Sequence, residues 1–179
     1  PYFAYIGAIH KRKNLPRLMA AFQRFLAGSG SDHHLIIAGE AAGHYFKEWA
    51  SLMSSIDKSR IHLTGRLSEE EKYVLLSCAQ AMVYPSLYEG FGIPILEAFS
   101  AGTPVLCSNR TSLPEVAGDA ALLFDPDSET EMCACMEQIS TSNGLRERLV
   151  GLGKERLQHY SWDRSAEVVW KVIESCLQK

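Results

Sequence analysis

No apolar run approaches the ~20 residues needed to cross a bilayer, so no transmembrane segment is expected. Positive charge is not in excess either. Lys and Arg number 18 against 21 Asp and Glu, a formal net charge of −3, which argues against a general nucleic-acid binder. An anionic ligand would then be held by a local cluster of cations rather than by the overall field. Cysteine is sparse and odd in number, with five thiols at Cys78, Cys107, Cys133, Cys135 and Cys176. That pattern gives no disulfide framework and suggests reduced thiols in a cytoplasmic protein. The Cys133-Ala134-Cys135 pair lacks zinc-site spacing and accompanying histidine pairs, so no metal site is read, and no cofactor is called for. The six histidines form no i, i+4 pair and are read as structural or solvated. There is no internal repeat or low-complexity tract. The chain opens at Pro1-Tyr2-Phe3 without an initiator Met or a signal peptide, and reads as part of something longer.

What is present is the profile of one globular domain: 179 residues, 46% hydrophobic and 22% charged, taken as a single unit over residues 1–179. A chain of this length buries about 70% of its unfolded surface without a disulfide or metal staple. Short apolar runs alternate with amphipathic ones. Strands are predicted at Tyr2–Ile6, His34–Ala38, Ile61–Thr64, Ala81–Tyr84, Pro104–Cys107 and Ala121–Phe124, several of them apolar on both faces, as in a covered parallel sheet. A helix follows Asn14, its N-cap, with Leu15, Leu18, Met19, Phe22 and Leu26 on one face. Ser68 with Glu69, Glu70 and Glu71 forms a capping box that opens a helix to about Cys78. A last helix begins near Trp162 and is expected to bury Ala166, Val169, Ile173 and Leu177. The alternation predicts an α/β fold, a Rossmann-like open parallel sheet with helices on both faces.

In such a sheet the ligand binds outside the carboxyl ends of the strands. Four stretches occupy such positions: Gly7–Asn14, Gly39–Gly43, Gly65–Ser68 and Pro85–Pro94. The last leads into a helix near Ile93-Pro94, with Pro94 tolerated in the first turn. Gly90 and Gly92 free the backbone to bring N–H groups to a ligand, and the helix N-terminus adds its positive dipole. Glu89 in the loop and Glu97 one turn into the helix then suit a ligand rich in hydroxyl groups, because an ionised carboxylate only accepts. The same spacing also fits a solvated loop acid and a capping residue.

The run His10-Lys11-Arg12-Lys13 follows the first strand, where cations can neutralise charge growing on a departing diphosphate. Taken alone, the run fits a solvated basic turn better. Thr64–Ser68 reads as an ordinary strand-to-helix turn or as a ligand contact, and Gly39 as a point of close backbone approach.

The segment "SLYEGFGIPILEAFSAGTPVLCSNRTSLPEVAGDAALLFDP", Ser86 to Pro126, resembles the donor-site segment of retaining glycosyltransferases with the GT-B fold (family 4, glycosyl transferases group 1). That family includes sucrose synthases and bacterial mannosyltransferases. Its signature is two glutamates with seven residues between them, around Gly-Phe-Gly-x-Pro, matched by Glu89 and Glu97. The stretches "YIGAIHKRKNLPRLMAAF", "LIIAGE" and "IHLTGRLSEEE" are similar to the family's earlier strands and turns. The resemblance implies the C-terminal, nucleotide-sugar-binding half of a two-domain, metal-independent enzyme. It implies that Glu97 binds the ribose hydroxyls and Glu89 a hydroxyl of the donor sugar. Backbone around Gly7, Gly90, Phe91, Gly92 and Ile93 would approach sugar and diphosphate, Lys13 would hold phosphate, and Gly65, Arg66 and Leu67 would face the nucleobase. Where many relatives carry an arginine after the first glycine this chain has Ala8, and Arg12 is the candidate replacement.

The expected activity is transfer of a sugar from GDP-mannose or a UDP-sugar to an acceptor hydroxyl, with retention, in polysaccharide or glycolipid synthesis. The catalytic candidates are Glu89, Lys13 and Arg12. The partners implied are a nucleoside-diphosphate sugar and, through the missing N-terminal domain, an acceptor glycan or lipid-linked sugar. The setting is cytoplasmic, with room for peripheral association at the inner membrane face. A non-catalytic nucleotide-sugar-binding module and a glycoside hydrolase with paired acids are the alternatives.

Overall fold

Six short strands, β1 (Tyr2–Ile6), β2 (His34–Ala38), β3 (Ile61–Gly65), β4 (Ala81–Tyr84), β5 (Val105–Ser108) and β6 (Ala121–Phe124), form one sheet in the order β3-β2-β1-β4-β5-β6. Every pairing is parallel. The structure is a computed structural model and describes residues 1–41, 45–55 and 58–177. Gly43, at the end of the glycine stretch read from Gly39, lies outside the described residues.

β4 and β5 are buried at all positions, and β1 at all but its first. Their continuous apolar sequence is explained by helices lying on both faces of a parallel sheet. At the edges the demand relaxes. β3 buries only Ile61, and β6 only Phe124. Helices α1 (Leu15–Ser29), α2 (Tyr45–Ser55), α3 (Glu69–Ser77), α4 (Ile93–Ser100), α5 (Leu113–Ala117), α6 (Glu129–Thr141), α7 (Asn143–Leu157) and α8 (Trp162–Leu177) link and follow the strands. α1 packs on α6, and α4 contacts α3, α5 and α7. Phe3 of β1 meets Phe22 and Phe25 of α1 edge-on, at ring separations of 6.3 and 5.5 Å, a favourable aromatic geometry.

Four of the six predicted strands have the observed bounds; β3 runs on to Gly65 and β5 begins one residue later, at Val105. The α3 capping box is present, with the Ser68 hydroxyl accepting from Glu71 N and Glu71 accepting from Ser68 N. Two expectations are corrected. Asn14 stands at the start of α1 but caps nothing with its side chain, because φ +59° turns it away. Its Nδ2 instead donates to the carbonyls of Pro85 (3.3 Å) and Pro126 (2.7 Å) and ties together the loops after β4 and β6. The last helix has its expected start, yet Val169, Ile173 and Leu177 are exposed, at 58%, 43% and 80%, and so is Ala166. Its amphipathic spacing is real, but no described residue buries that face.

Candidate functional site

The strand order turns around between β1 and β4: the chain proceeds outward through β2 and β3 on one side, and through β5 and β6 on the other. Loops leaving the two central strands therefore diverge, opening a crevice at their carboxyl ends. A cavity of about 560 Å³ lies there, lined among others by Gly7, Ala8, Gly39, Glu40, Arg66, Leu67, Glu69, Lys72, Ile93, Pro94 and Glu97.

The floor depends on two glycines. At Gly39, φ +152°, an added Cβ would lie 1.9 Å from the carbonyl oxygen of Gly7, so the expected close approach is that of the β1 and β2 loops to each other. Gly92, at φ +109°, takes the cap position of α4, and a Cβ there would lie 2.7 Å from Leu113 Cδ2. With Pro94 in the first turn, α4 begins at the cavity wall, which Ile93 and Pro94 help to line.

The two predicted acids sit on either side of this helix entry, and each is held by a lysine. Glu97 Oε1 accepts from Lys72 Nζ at 2.9 Å, and the same ammonium reaches Glu69 Oε2 at 2.8 Å. Burial pulls the Lys72 pKa down, but the two carboxylates outweigh it and leave it above the ordinary value. Glu89 Oε1 accepts from Lys13 Nζ at 2.5 Å, Arg12 Nη1 at 2.9 Å and the Tyr84 hydroxyl at 3.1 Å. Burial pushes the Glu89 carboxyl up, yet the bond and charge from Lys13, with Arg12, bring it below the usual range. Lys13 is itself buried, and desolvation lowers its pKa despite the opposing pull of Glu89.

The structure thus gathers the predicted residues into two adjoining groups. Gly7, Arg66, Leu67, Ile93 and Glu97 line the cavity; Lys13, Arg12 and Glu89 form an ionic cluster beside it. Gly65 ends β3, and its carbonyl accepts from Gly39 N at 2.8 Å. Gly90, Phe91 and Gly92 make the loop between the two groups. The Ser112 hydroxyl braces that loop by donating to the carbonyls of Glu89 (3.0 Å) and Phe91 (2.8 Å), and Glu89 N donates to Thr111 Oγ1. Arg12 points at Glu89 and at the carbonyl of Tyr88 (3.0 Å), and is not among the residues lining the cavity. The sequence reading missed Lys72, Tyr84, Thr111 and Ser112. Lys72 had a signal, since an i, i+3 pair with Glu69 is legible on a helix. Tyr84 had none, being the last residue of an apolar strand.

A cavity lined by carboxylates that only accept, cations that only donate, and the start of a helix can bind a molecule with hydroxyl and phosphate groups at once. The fold and this crevice define the class: a doubly wound α/β domain with a cavity at its topological switch point. The chain belongs to the family of glycosyl transferases group 1, whose family model matches residues 1–156. It is 36% identical to O-antigen chain mannosyltransferase B of Escherichia coli, over 90% of this chain and 42% of that protein. The MMP alpha-(1->4)-mannosyltransferase of Mycolicibacterium hassiacum is 34% identical over 66% of this chain and 30% of its own length. The chain therefore spans less than half of these curated relatives. Among solved structures, sucrose-phosphate synthase from Thermosynechococcus elongatus has a TM-score of 0.87 at 24% identity, covering 99% of this chain and 46% of that one. HepE of Anabaena, in complex with UDP and glucose, has a TM-score of 0.86 at 16% identity, covering 97% and 48%. These likenesses bear out the Rossmann-like GT-B fold expected from the sequence. No helix among the described residues is long and apolar enough to cross a membrane.

Proposed function

We propose that this chain is the donor-binding half of a retaining glycosyltransferase that takes a sugar from a nucleoside diphosphate, GDP-mannose or a UDP-sugar, to an acceptor hydroxyl. The observation that carries the reading is the pair Glu89 and Glu97, placed on either side of the α4 N-terminus beside the cavity. Glu97 would accept from the ribose hydroxyls and Glu89 from the donor sugar. Arg66 and Leu67 would face the base, and the backbone of Gly7 and of Gly90 to Ile93 the sugar and diphosphate. Lys13, with the α4 N-terminus, would stabilise charge on the departing diphosphate, and Arg12 would contribute through Glu89. Catalysis would then be a matter of position and electrostatics rather than of a covalent nucleophile. The mannosyltransferase names among the relatives support mannose as the sugar and polysaccharide or glycolipid synthesis as the setting.

The acceptor, a glycan or lipid-linked sugar, would be held by a further N-terminal domain, with the whole protein cytoplasmic or peripheral at the inner membrane face. One side of the donor is then held by this chain alone, so affinity near ~1 mM is expected, which corresponds to ~4 kcal/mol. Sugar transfer should be absent, because the orientation supplied by a closed site, worth ~7–11 kcal/mol, is missing. The test is calorimetric titration of this chain with GDP, UDP, ADP and dTDP, with and without magnesium or EDTA, followed by an acceptor screen with labelled donor. GDP or UDP should bind best and the metal should matter little. No binding at high concentration, a strict metal requirement, or robust transfer by this chain alone would overturn the reading.

A further inference from the structure

We infer that Tyr84 is a positioning residue of the transfer site, its hydroxyl fixing the directions of Lys13 and Glu89 together; the assignment rests on the glycosyl-transfer reading above. Tyr84 ends β4 and is 1% exposed. As a strand residue it need only fill space, which a phenylalanine would do. A buried hydroxyl is costly unless it is hydrogen-bonded, and this one is bonded twice. It accepts from Lys13 Nζ at 2.6 Å and donates to Glu89 Oε1 at 3.1 Å. With the direct Lys13–Glu89 contact of 2.5 Å, the three atoms close a triangle. Behind it the Tyr5 ring stacks on the Tyr84 ring, with centroids 6.1 Å apart.

The triangle answers a problem set by lysine chemistry. An ammonium on a four-carbon stem carries three rotatable donors and no preferred direction. Tyr84 and Glu89 take two of them, so the direction of the third is fixed. Glu89 is constrained in the same way, with one oxygen committed to Lys13, Arg12 and Tyr84. The charged or titratable groups facing Lys13 are Glu89, Tyr84 and Arg12, and the Tyr5 phenol stands behind Tyr84. Burial, then Glu89, holds the Tyr84 phenol far above its ordinary range. It therefore stays an O–H group wherever Lys13 changes charge, serving as a neutral acceptor for the ammonium and a donor to the carboxylate.

The experiment uses the full-length protein, its nucleotide-sugar donor and its acceptor, with rates measured against pH. In Tyr84→Phe, kcat should fall roughly ten- to a hundredfold, the worth of a hydrogen bond to a charged group, with a much smaller change in KM for the donor. The bell-shaped profile should also narrow from both ends. Loss of the acceptor moves the Lys13 limb to lower pH, and loss of the donor moves the Glu89 limb to higher pH. Incorporation of 3-fluorotyrosine at position 84 serves if Tyr84→Phe does not fold. Its phenol is a stronger donor and a weaker acceptor, so both limbs should move to lower pH. Normal kcat with unmoved limbs in either variant overturns the inference. So does a loss that follows a fall in Tm while the limbs stay in place, which is what filling space alone would give. Lys13→Ala and Glu89→Ala separate the two levels. If they abolish transfer while the Tyr84 variants are indifferent, only the role of Tyr84 fails; if the wild type transfers no sugar from any nucleotide donor, both fail.

Discussion

Lys72 and Glu97 stand 2.9 Å apart, ammonium to carboxylate, and the contact joins the first turn of α3 to the first turns of α4. The second acid of the signature is thus aimed by a residue from another element. Lys72→Ala should weaken nucleoside-diphosphate binding, though less than Glu97→Ala does. The double variant should be no worse than Glu97→Ala alone, since residues that act through one contact are not additive. Titration calorimetry on the three variants decides it. Fully additive losses would mean that Lys72 meets the ligand independently.

The two acids should separate in binding experiments. Glu97→Ala is expected to lose roughly ten- to a hundredfold in affinity for the free nucleoside diphosphate, the worth of ~1.5–3 kcal/mol for a charged hydrogen bond. Glu89→Ala should leave that affinity nearly unchanged and instead erase the preference for the intact sugar donor. Equal losses of free nucleotide in both variants would sink the assignment of ribose to one and sugar to the other.

Gly39 and Gly65 both have positive φ, +152° and +74°, but only Gly39 is crowded. Gly39→Ala should destabilise the fold by on the order of 3 kcal/mol or more, because backbone at 1.9 Å has to part. Gly65→Ala, with open space around its Cβ, should cost only ~1–2 kcal/mol of left-handed strain. Denaturant melts on the pair check the order, and the reverse order would contradict the close approach of the two loops.

Acid should act through Glu89. Its folded pKa lies below the ordinary 4.5, so the folded state favours the ionised carboxylate. That contribution is fully present above pH 4.5 and is lost as the pH falls through the lower folded value. Thermal melts across about pH 3 to 6 should show stability dropping on the acid side. Glu89→Gln should flatten that drop while lowering stability at neutral pH, where Lys13 is left buried without its anion. A variant curve parallel to the wild type would assign the acid sensitivity elsewhere.

The sheet was legible because its central strands are apolar at nearly every position, and Tyr2–Ile6 or Ala81–Tyr84 can scarcely be anything else between polar turns. The ends of β3 and β5 were less so, since a one-residue shift changes nothing in the composition of Thr64-Gly65 or Pro104-Val105. Gly39 could be marked as a close approach, but its partner, the backbone of Gly7, emerges only once two strands lie side by side. A helix-capping preference assigns Asn14 to the start of α1, but two carbonyls remote in sequence, Pro85 and Pro126, claim its amide instead. In α8, spacing shows that one side of the helix is apolar and cannot say whether anything covers it. Tyr84 is the deepest omission: a tyrosine at the end of an apolar strand is ordinary, and its importance is a matter of which side chains arrive at its hydroxyl.

The strand order also has a consequence for how the chain acquires its shape. β1 is the first strand in sequence and lies at the middle of the sheet, pairing Tyr2 with His34 on one side and Phe3 with Ala81 on the other. The first partnership closes a loop of about thirty residues, the second one of nearly eighty, and the longer closure is entropically costlier and slower to find. During synthesis, β1, β2 and β3 can assemble while β4 is still to come. Until then one side of β1 is an open edge, of the kind that invites pairing with a wrong chain. The crevice lies along that same seam, so it cannot form until β4 has reached β1.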